Sequence, residues 1–172
     1  SEDTNMIIEN VLRTAEVGVA GINIEDSKKK THGLKSISQH ASLLEKIRLE
    51  LDHRGFKDFF INARTDTYLQ KENPLPETME RARAYLESGA SGIFVPGIKE
   101  DMDIKELTMS VSAPVNILSL PGVTNYNHLK ELGVRRFSFG NALSDIVIAY
   151  LEKKAGELLE HRDTFCLYET KL

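Results

Sequence analysis

Apolar and polar positions come in short blocks along this chain, and the blocks read as buried strands that alternate with amphipathic helices. The clearest block is Phe59-Phe60-Ile61-Asn62-Ala63-Arg64-Thr65-Asp66, apolar where it starts and charged where it ends. On a strand over 58–64, Asn62, Arg64 and Asp66 point one way, and Phe59, Ile61 and Ala63 the other. A guanidinium and a carboxylate at the end of an apolar strand are costly unless they face a ligand, a partner charge or water.

The same alternation runs through the rest of the chain. Ile7, Ile8, Val11, Leu12 and Ala15 share one face of a first helix, capped by Asp3 or Thr4 and stopped by Gly18. Residues 19–24 read as a short buried strand ending in Glu25-Asp26, and 27–37 as a polar loop. Ser38 is the expected cap of a helix that runs to about Arg54. Residues 69–76 are expected to be loop, with Pro76 in the first turn of the next helix. Strands follow at 93–95, 114–118 and 134–139, with helices at about 101–110, 125–132 and 142–160. The tail to Leu172 can pack on the domain or reach a neighbouring subunit.

One helix and five strand–helix units predict a parallel α/β sheet with right-handed crossovers. Two architectures compete, an open doubly wound sheet and a (β/α)8 TIM barrel. No Gly-rich phosphate-cradling turn follows any strand. Polar groups instead end several strands: Glu25, Arg64, Asn116 and Asn141. Barrel enzymes build their sites from strand ends in this way, so the barrel is favoured. A barrel needs eight strands, so about three more are expected ahead of these five.

Composition narrows the function. The 172 residues are 41% apolar and 28% charged, as in an ordinary globular domain. A net charge of −4 argues against a nucleic-acid partner. No apolar run approaches the roughly 18 residues of a membrane span, and no signal-peptide pattern is visible. Cys166 is the single cysteine and has no internal disulfide partner. A cytoplasmic location is the expectation.

The candidate chemistry has a bland reading beside each functional one. Arg64 with Asp66 is a structural ion pair or part of a ligand site. Glu25 and Asp26 cap a loop or belong to a metal shell. Lys28, Lys29 and Lys30, with His32, form a solvated loop or a mobile gate over an anionic substrate. Asn116 donates to a substrate or closes a strand end. His40, His53, His128 and His161 are expected on helix surfaces, Asn141 as the cap of the last helix, and Cys166 as an inert thiol.

Four stretches carry a resemblance: Ala20-Gly21-Ile22-Asn23-Ile24-Glu25-Asp26, Asn62-Ala63-Arg64-Thr65-Asp66, Gly89-Ala90-Ser91-Gly92-Ile93-Phe94-Val95-Pro96-Gly97 and Leu132-Gly133-Val134-Arg135-Arg136-Phe137-Ser138. In that order the chain resembles the isocitrate lyase / phosphoenolpyruvate mutase superfamily, and Pro114-Val115-Asn116 points to its phosphonomutase-like or oxaloacetate-decarboxylase-like branch. The resemblance implies a TIM barrel and a Mg²⁺-dependent lyase or mutase. Its substrates would be small 2-oxo carboxylates or phosphonates, with a C–C or C–P bond broken or rearranged through an enolate. It implies that Glu25 belongs to the metal shell and that Arg64 grips the substrate anion. It also implies a homo-oligomer, a dimer or tetramer, that exchanges its last helix between subunits.

There are two departures. The family's aspartate-rich metal motif has no counterpart in these residues. The lyases' Lys-x-Cys-Gly-His loop is represented by the shorter Lys28-Lys29-Lys30-Thr31-His32, without a cysteine. That argues against isocitrate or methylisocitrate cleavage. A catalytically incomplete chain, or a non-catalytic half-barrel that serves assembly, is the alternative.

Overall fold

A computed structural model of the protein describes residues 3–28 and 31–168. Five strands, β1 (Gly21–Glu25), β2 (Phe60–Arg64), β3 (Gly92–Val95), β4 (Val115–Leu118) and β5 (Arg136–Ser138), form one parallel sheet in sequence order. The helices are α1 (Thr4–Glu16), α2 (Ile37–His53), α3 (Thr67–Gln70), α4 (Leu75–Glu87), α5 (Asp101–Ser110), α6 (Tyr126–Glu131) and α7 (Ala142–His161). In a doubly wound sheet the strand order reverses and helices cover both faces. A strictly sequential order with right-handed crossovers puts every crossover helix on one face, as in consecutive units of a (β/α)8 barrel. Packing of α1 on α2, α2 on α4 and α4 on α5 fits that arrangement.

Register separates the two faces of the sheet. Ile61, Ala63, Ile93, Val95, Val115 and Ile117 share the helix-facing side and are buried with Leu44, Ile47, Leu51, Ile104 and Leu107. Each such aliphatic side chain contributes about 1.5–3 kcal/mol by leaving water. The other face carries Asn23 and Glu25, Asn62 and Arg64, Phe94, Asn116 and Arg136, matched across the strands. Its lower layer is tightly fitted. A Cβ on Gly92 would lie 2.8 Å from both the Phe60 ring and the Pro114 carbonyl oxygen. The Arg136 guanidinium stacks on the Phe60 ring at 4.4 Å.

Several expectations are corrected. The strand expected from residue 19 begins at Gly21, because its partner β2 begins only at Phe60. Phe59 is outside β2 because its amide is already bonded to the Phe56 carbonyl in a turn. Val134 likewise donates to Leu129 at the end of α6, so β5 starts later than expected. The cap of α2 is Ser36 and not Ser38. Ser36 and Gln39 form a reciprocal capping box, which needs the three-residue spacing that Ser38 lacks. Residues 67–70, partly expected as loop, make the short helix α3. His40, expected on a surface, is fully buried. Asn141 precedes α7 but its side chain makes no capping bond.

Phe139–Leu172 forms a second compact unit. It holds α7, ended by Arg162 in the left-handed conformation, and a 3-10 turn over Phe165–Leu167. No side chain of α7 is buried in the single chain. Leu143, Ile146, Val147, Ile148 and Leu151 are all more than half exposed. Cys166 is a half-buried free thiol. Among the described residues no helix is long and apolar enough to cross a membrane.

Candidate active site at the carboxyl ends of β1 and β2

The last residues of β1 and β2, Glu25 and Arg64, are register partners on the polar face. Just past Arg64 the chain turns into α3, and Asp66 folds back over the strand end. Arg64 Nε donates to Asp66 Oδ1 at 2.6 Å and Nη2 to Oδ2 at 3.2 Å, a two-pronged pair. Arg64 Nη1 stands 3.7 Å from Glu25 Oε2, and the guanidinium lies 5.6 Å over the Phe94 ring. Two of the five guanidinium N–H donors are therefore committed to Asp66. The Arg64 side chain is 29% exposed, while that of Asp66 is 7% exposed.

Arg64 and Glu25 line an open cleft of about 450 Å³ along the edge strand β1, together with Asn23, Ser27 and Lys35 and a mixed wall of Ile7, Asn10, Val11 and Thr14 from α1. Ser27 Oγ donates to Asp66 Oδ2 at 2.5 Å and accepts from Gln70 Nε2 at 3.0 Å. Lys35 Nζ donates to the Glu25 and Ser27 carbonyls at 3.3 and 3.4 Å. The loop between Ser27 and Leu34 is closed at its base by an antiparallel bridge and by the Lys35 amide on the Asp26 carbonyl at 2.8 Å.

Behind this surface lies a buried polar cluster. Asp26 is fully buried and accepts from Arg81 Nη1 at 3.0 Å, Tyr85 Oη at 2.8 Å and the Asp66 amide at 3.1 Å. Arg81 also donates to the Lys35 carbonyl at 3.0 Å and to Glu77 Oε1 at 3.0 and 2.7 Å. Burial alone would raise the Glu77 carboxyl, but hydrogen bonds from Arg81 and Lys71 hold it below its usual range. Burial, then the Asp26 charge, pushes the Tyr85 phenol upward, so it stays protonated and donates. The His40 ring meets Tyr85 edge-on at 4.7 Å, and burial drives its pKa down to about 4.

Glu25 and Arg64 are thus brought together. Asn116 sits on the same face at the same level but is separated from Arg64 by Phe94, its neighbour in register. Lys28 and His32 are exposed on the loop and do not line the cleft. Lys29 and Lys30 lie outside the described residues. Ser27, Lys35 and Arg81 are site residues that sequence reasoning missed. Arg81 had a legible signal: it falls four residues before Tyr85 and three after Thr78, on the buried stripe of α4.

Metal chemistry can be weighed on the donor set. Among the described residues no group of three His, Cys, Asp or Glu could hold a metal ion. Glu25 is the one carboxylate among the described residues lining the cleft. Asp26 and Asp66 are bound to Arg81 and Arg64. These residues by themselves do not complete a Mg²⁺ site.

A parallel sheet in sequential strand order, with charged groups gathered at the carboxyl ends of its strands, has the arrangement of consecutive strand–helix units of a (β/α)8 barrel. The comparisons identify the family: residues 1–159 match phosphoenolpyruvate phosphomutase, and the chain belongs to that family. It is 38% identical over 128 residues to an uncharacterised protein of Mycobacterium tuberculosis, covering 74% of this chain and 46% of that one. It is 35% identical over 114 residues to the 2-methylisocitrate lyase of Escherichia coli, covering 62% of this chain and 38% of that one. Among solved structures, a Burkholderia cenocepacia protein assigned as a phosphonomutase superposes with a TM-score of 0.83 at 31% identity, over 90% of this chain and 65% of that one. The phosphoenolpyruvate phosphomutase of Streptomyces platensis subsp. rosaceus shares the fold, with a TM-score of 0.83 at 17% identity over 99% of this chain and 62% of that one. The chain spans about half the length of the curated relatives it matches.

Proposed function

We propose that the protein is a lyase or mutase of small 2-oxo carboxylates or phosphonates, with Arg64 as the group that holds the substrate anion. The observation that carries this reading is the partial pairing of Arg64. Asp66 fixes its plane through two donors, and the remaining donors belong to a side chain lining a cleft at the strand ends. A planar guanidinium held in this way suits a carboxylate or phosphonate, which accepts two parallel hydrogen bonds. Bond cleavage beside a carbonyl leaves an enolate. A fixed cation next to the place where that charge develops lowers the barrier without reorganising. Lys35 adds a second positive charge to the same cleft.

Family membership supports the reaction class, and relatives named as an oxaloacetate decarboxylase and a 2,3-dimethylmalate lyase act on acids of this size. Both C–C and C–P chemistry call for a fixed cation of this kind beside the substrate anion. We assign Glu25 to the outer shell of a Mg²⁺ ion whose other ligands are residues other than these. Asn116 and the Lys28–His32 loop remain candidates for substrate contact and gating. The single free cysteine suits a cytoplasmic protein.

The test is thermal unfolding of the full-length protein with Mg²⁺ and oxalate, a stable mimic of an enolate. Ligand at a hundred times its Kd adds about 2.7 kcal/mol of stability, a rise of several degrees in Tm. The rise is expected in the wild type and absent in Arg64→Ala. No rise in the wild type, or an equal rise in the variant, would overturn the assignment. The incomplete carboxylate set favours a second reading, a chain that assembles without catalysis, and that reading expects no oxalate effect at all.

We also propose that the exposed aliphatic side chains of α7 are covered by a second copy of the chain, since so much unpartnered apolar surface on one helix favours association. Sedimentation velocity is expected to give a dimer or tetramer, and a monomer at micromolar concentration would refute this.

A further inference from the structure

We infer that Asp26 is a positioning residue for Arg64, acting through the backbone amide of Asp66. This rests on the reading of Arg64 as the anion-holding group. Among the described residues, Asp66 alone holds two guanidinium nitrogens of Arg64 within hydrogen-bond distance, at 2.6 and 3.2 Å. Asp66 stands just beyond the end of β2, where its carbonyl accepts from the Leu69 amide at 3.0 Å and its carboxylate accepts from Ser27 Oγ at 2.5 Å. Its amide has no strand partner and is received by Asp26 Oδ1 at 3.1 Å, from the end of the neighbouring strand β1.

Asp26 can serve as that fixed point because it is fully buried and held from behind. Arg81 Nη1 and Tyr85 Oη both meet its other oxygen, at 3.0 and 2.8 Å. The same Arg81 nitrogen reaches the Lys35 carbonyl at 3.0 Å, so both feet of the 27–34 loop, Asp26 and Lys35, converge on one guanidinium. Glu77 holds the rest of that guanidinium in place. The line of contact runs from α4 through Asp26 and Asp66 to Arg64. Each link is a charge-assisted or buried hydrogen bond, the kind whose geometry is most strictly kept.

Stability and positioning can be separated. Removing one member of a buried ion pair is destructive, whereas neutralising both members together is often tolerated. Two double variants therefore differ in the one respect that matters. Asp26→Asn with Arg81→Met keeps a side-chain oxygen for the Asp66 amide. Asp26→Leu with Arg81→Met removes it. The readouts in the protein are the Arg64 Nε–H NMR signal without ligand, and the affinity for oxalate in the presence of Mg²⁺.

The Asn-containing variant is expected to keep the wild-type Arg64 signal and to bind oxalate within about threefold. The Leu-containing variant is expected to shift or broaden that signal and to bind at least tenfold more weakly. Equal signals in both folded variants would overturn the inference. Should the Leu-containing variant not fold, Asp26→Asn and Arg81→Lys serve in its place. Across them the Asp66 amide exchange rate and the Arg64 signal are expected to move together, and an Arg64 signal that stays fixed while the Asp66 amide loses protection would refute it. If the wild type binds no oxalate, the proposed function fails, while the Arg64 signal still decides the positioning role.

Discussion

Asp26→Ala is expected to destabilise the protein by about 3–5 kcal/mol, the cost of leaving a buried charge without its partner. The substitution removes the acceptor of three hydrogen bonds at once. It strands Arg81, whose side chain is 5% exposed, with Glu77 as its remaining carboxylate. It also leaves the Tyr85 hydroxyl and the Asp66 amide to find other acceptors in a dry interior, and each orphan adds to the loss. Urea unfolding at pH 7 measures the change. A loss below about 1 kcal/mol would mean that water reaches the cluster and replaces the carboxylate.

The second large effect concerns acid. His40 has an ordinary pKa of 6.5 and is held near 4 in the folded state, chiefly because burial disfavours the imidazolium. The Asp26 charge opposes that shift, and the Lys35 and Arg81 charges reinforce it. Tyr85 meets the ring edge-on, and neither ring nitrogen has a hydrogen-bond partner of normal geometry. Below pH 6.5 the unfolded chain takes up a proton that the folded chain refuses. The His40 contribution is therefore complete above about pH 6.5 and is lost as the pH falls from 6.5 towards 4, to a limit of about 3 kcal/mol. Phenylalanine needs no hydrogen bond but is the larger ring. His40→Phe is expected to lose about 1–3 kcal/mol at pH 7 by overpacking, and to flatten the profile between pH 6.5 and 4.5. Parallel profiles for the two proteins would show that His40 protonates in place.

Much of this architecture was legible in the sequence, because periodicity reports which face of an element is buried. The alternation across Phe59–Asp66 placed Asn62 and Arg64 on one face, and the register with β1 puts them opposite Asn23 and Glu25. The strand ends were less legible, since a ladder stops where its partner stops or where an amide is used in a turn, as at Phe59 and Val134. Composition gave no hint that a histidine and an arginine would be buried. His40 and Arg81 are polar by type, and only their helical phase, with Leu44 and Ile47 in α2 and with Thr78 and Tyr85 in α4, points inward. The cluster they form was invisible because it is non-local: Asp26 meets Arg81 across 55 residues of chain. The loop residues Lys28 and His32 were picked out by charge, yet charge in a loop reports solvation more readily than a site.

The sequential strand order has one more consequence, for the entropy of closing the sheet. Asn116 and Arg136, partners across β4 and β5, are joined by roughly 20 residues, whereas Glu25 and Arg64 are joined by roughly 40, and each doubling of a loop costs about 0.6 kcal/mol more to close. The seam that carries the candidate site is therefore the one whose ends are hardest to bring together. It is also the seam laced by side chains: Ser27 to Asp66, Asp26 to the Asp66 amide and Asn62 to Asn23 all cross it. Those polar bridges add to the longest ladder of the sheet, across the widest loop.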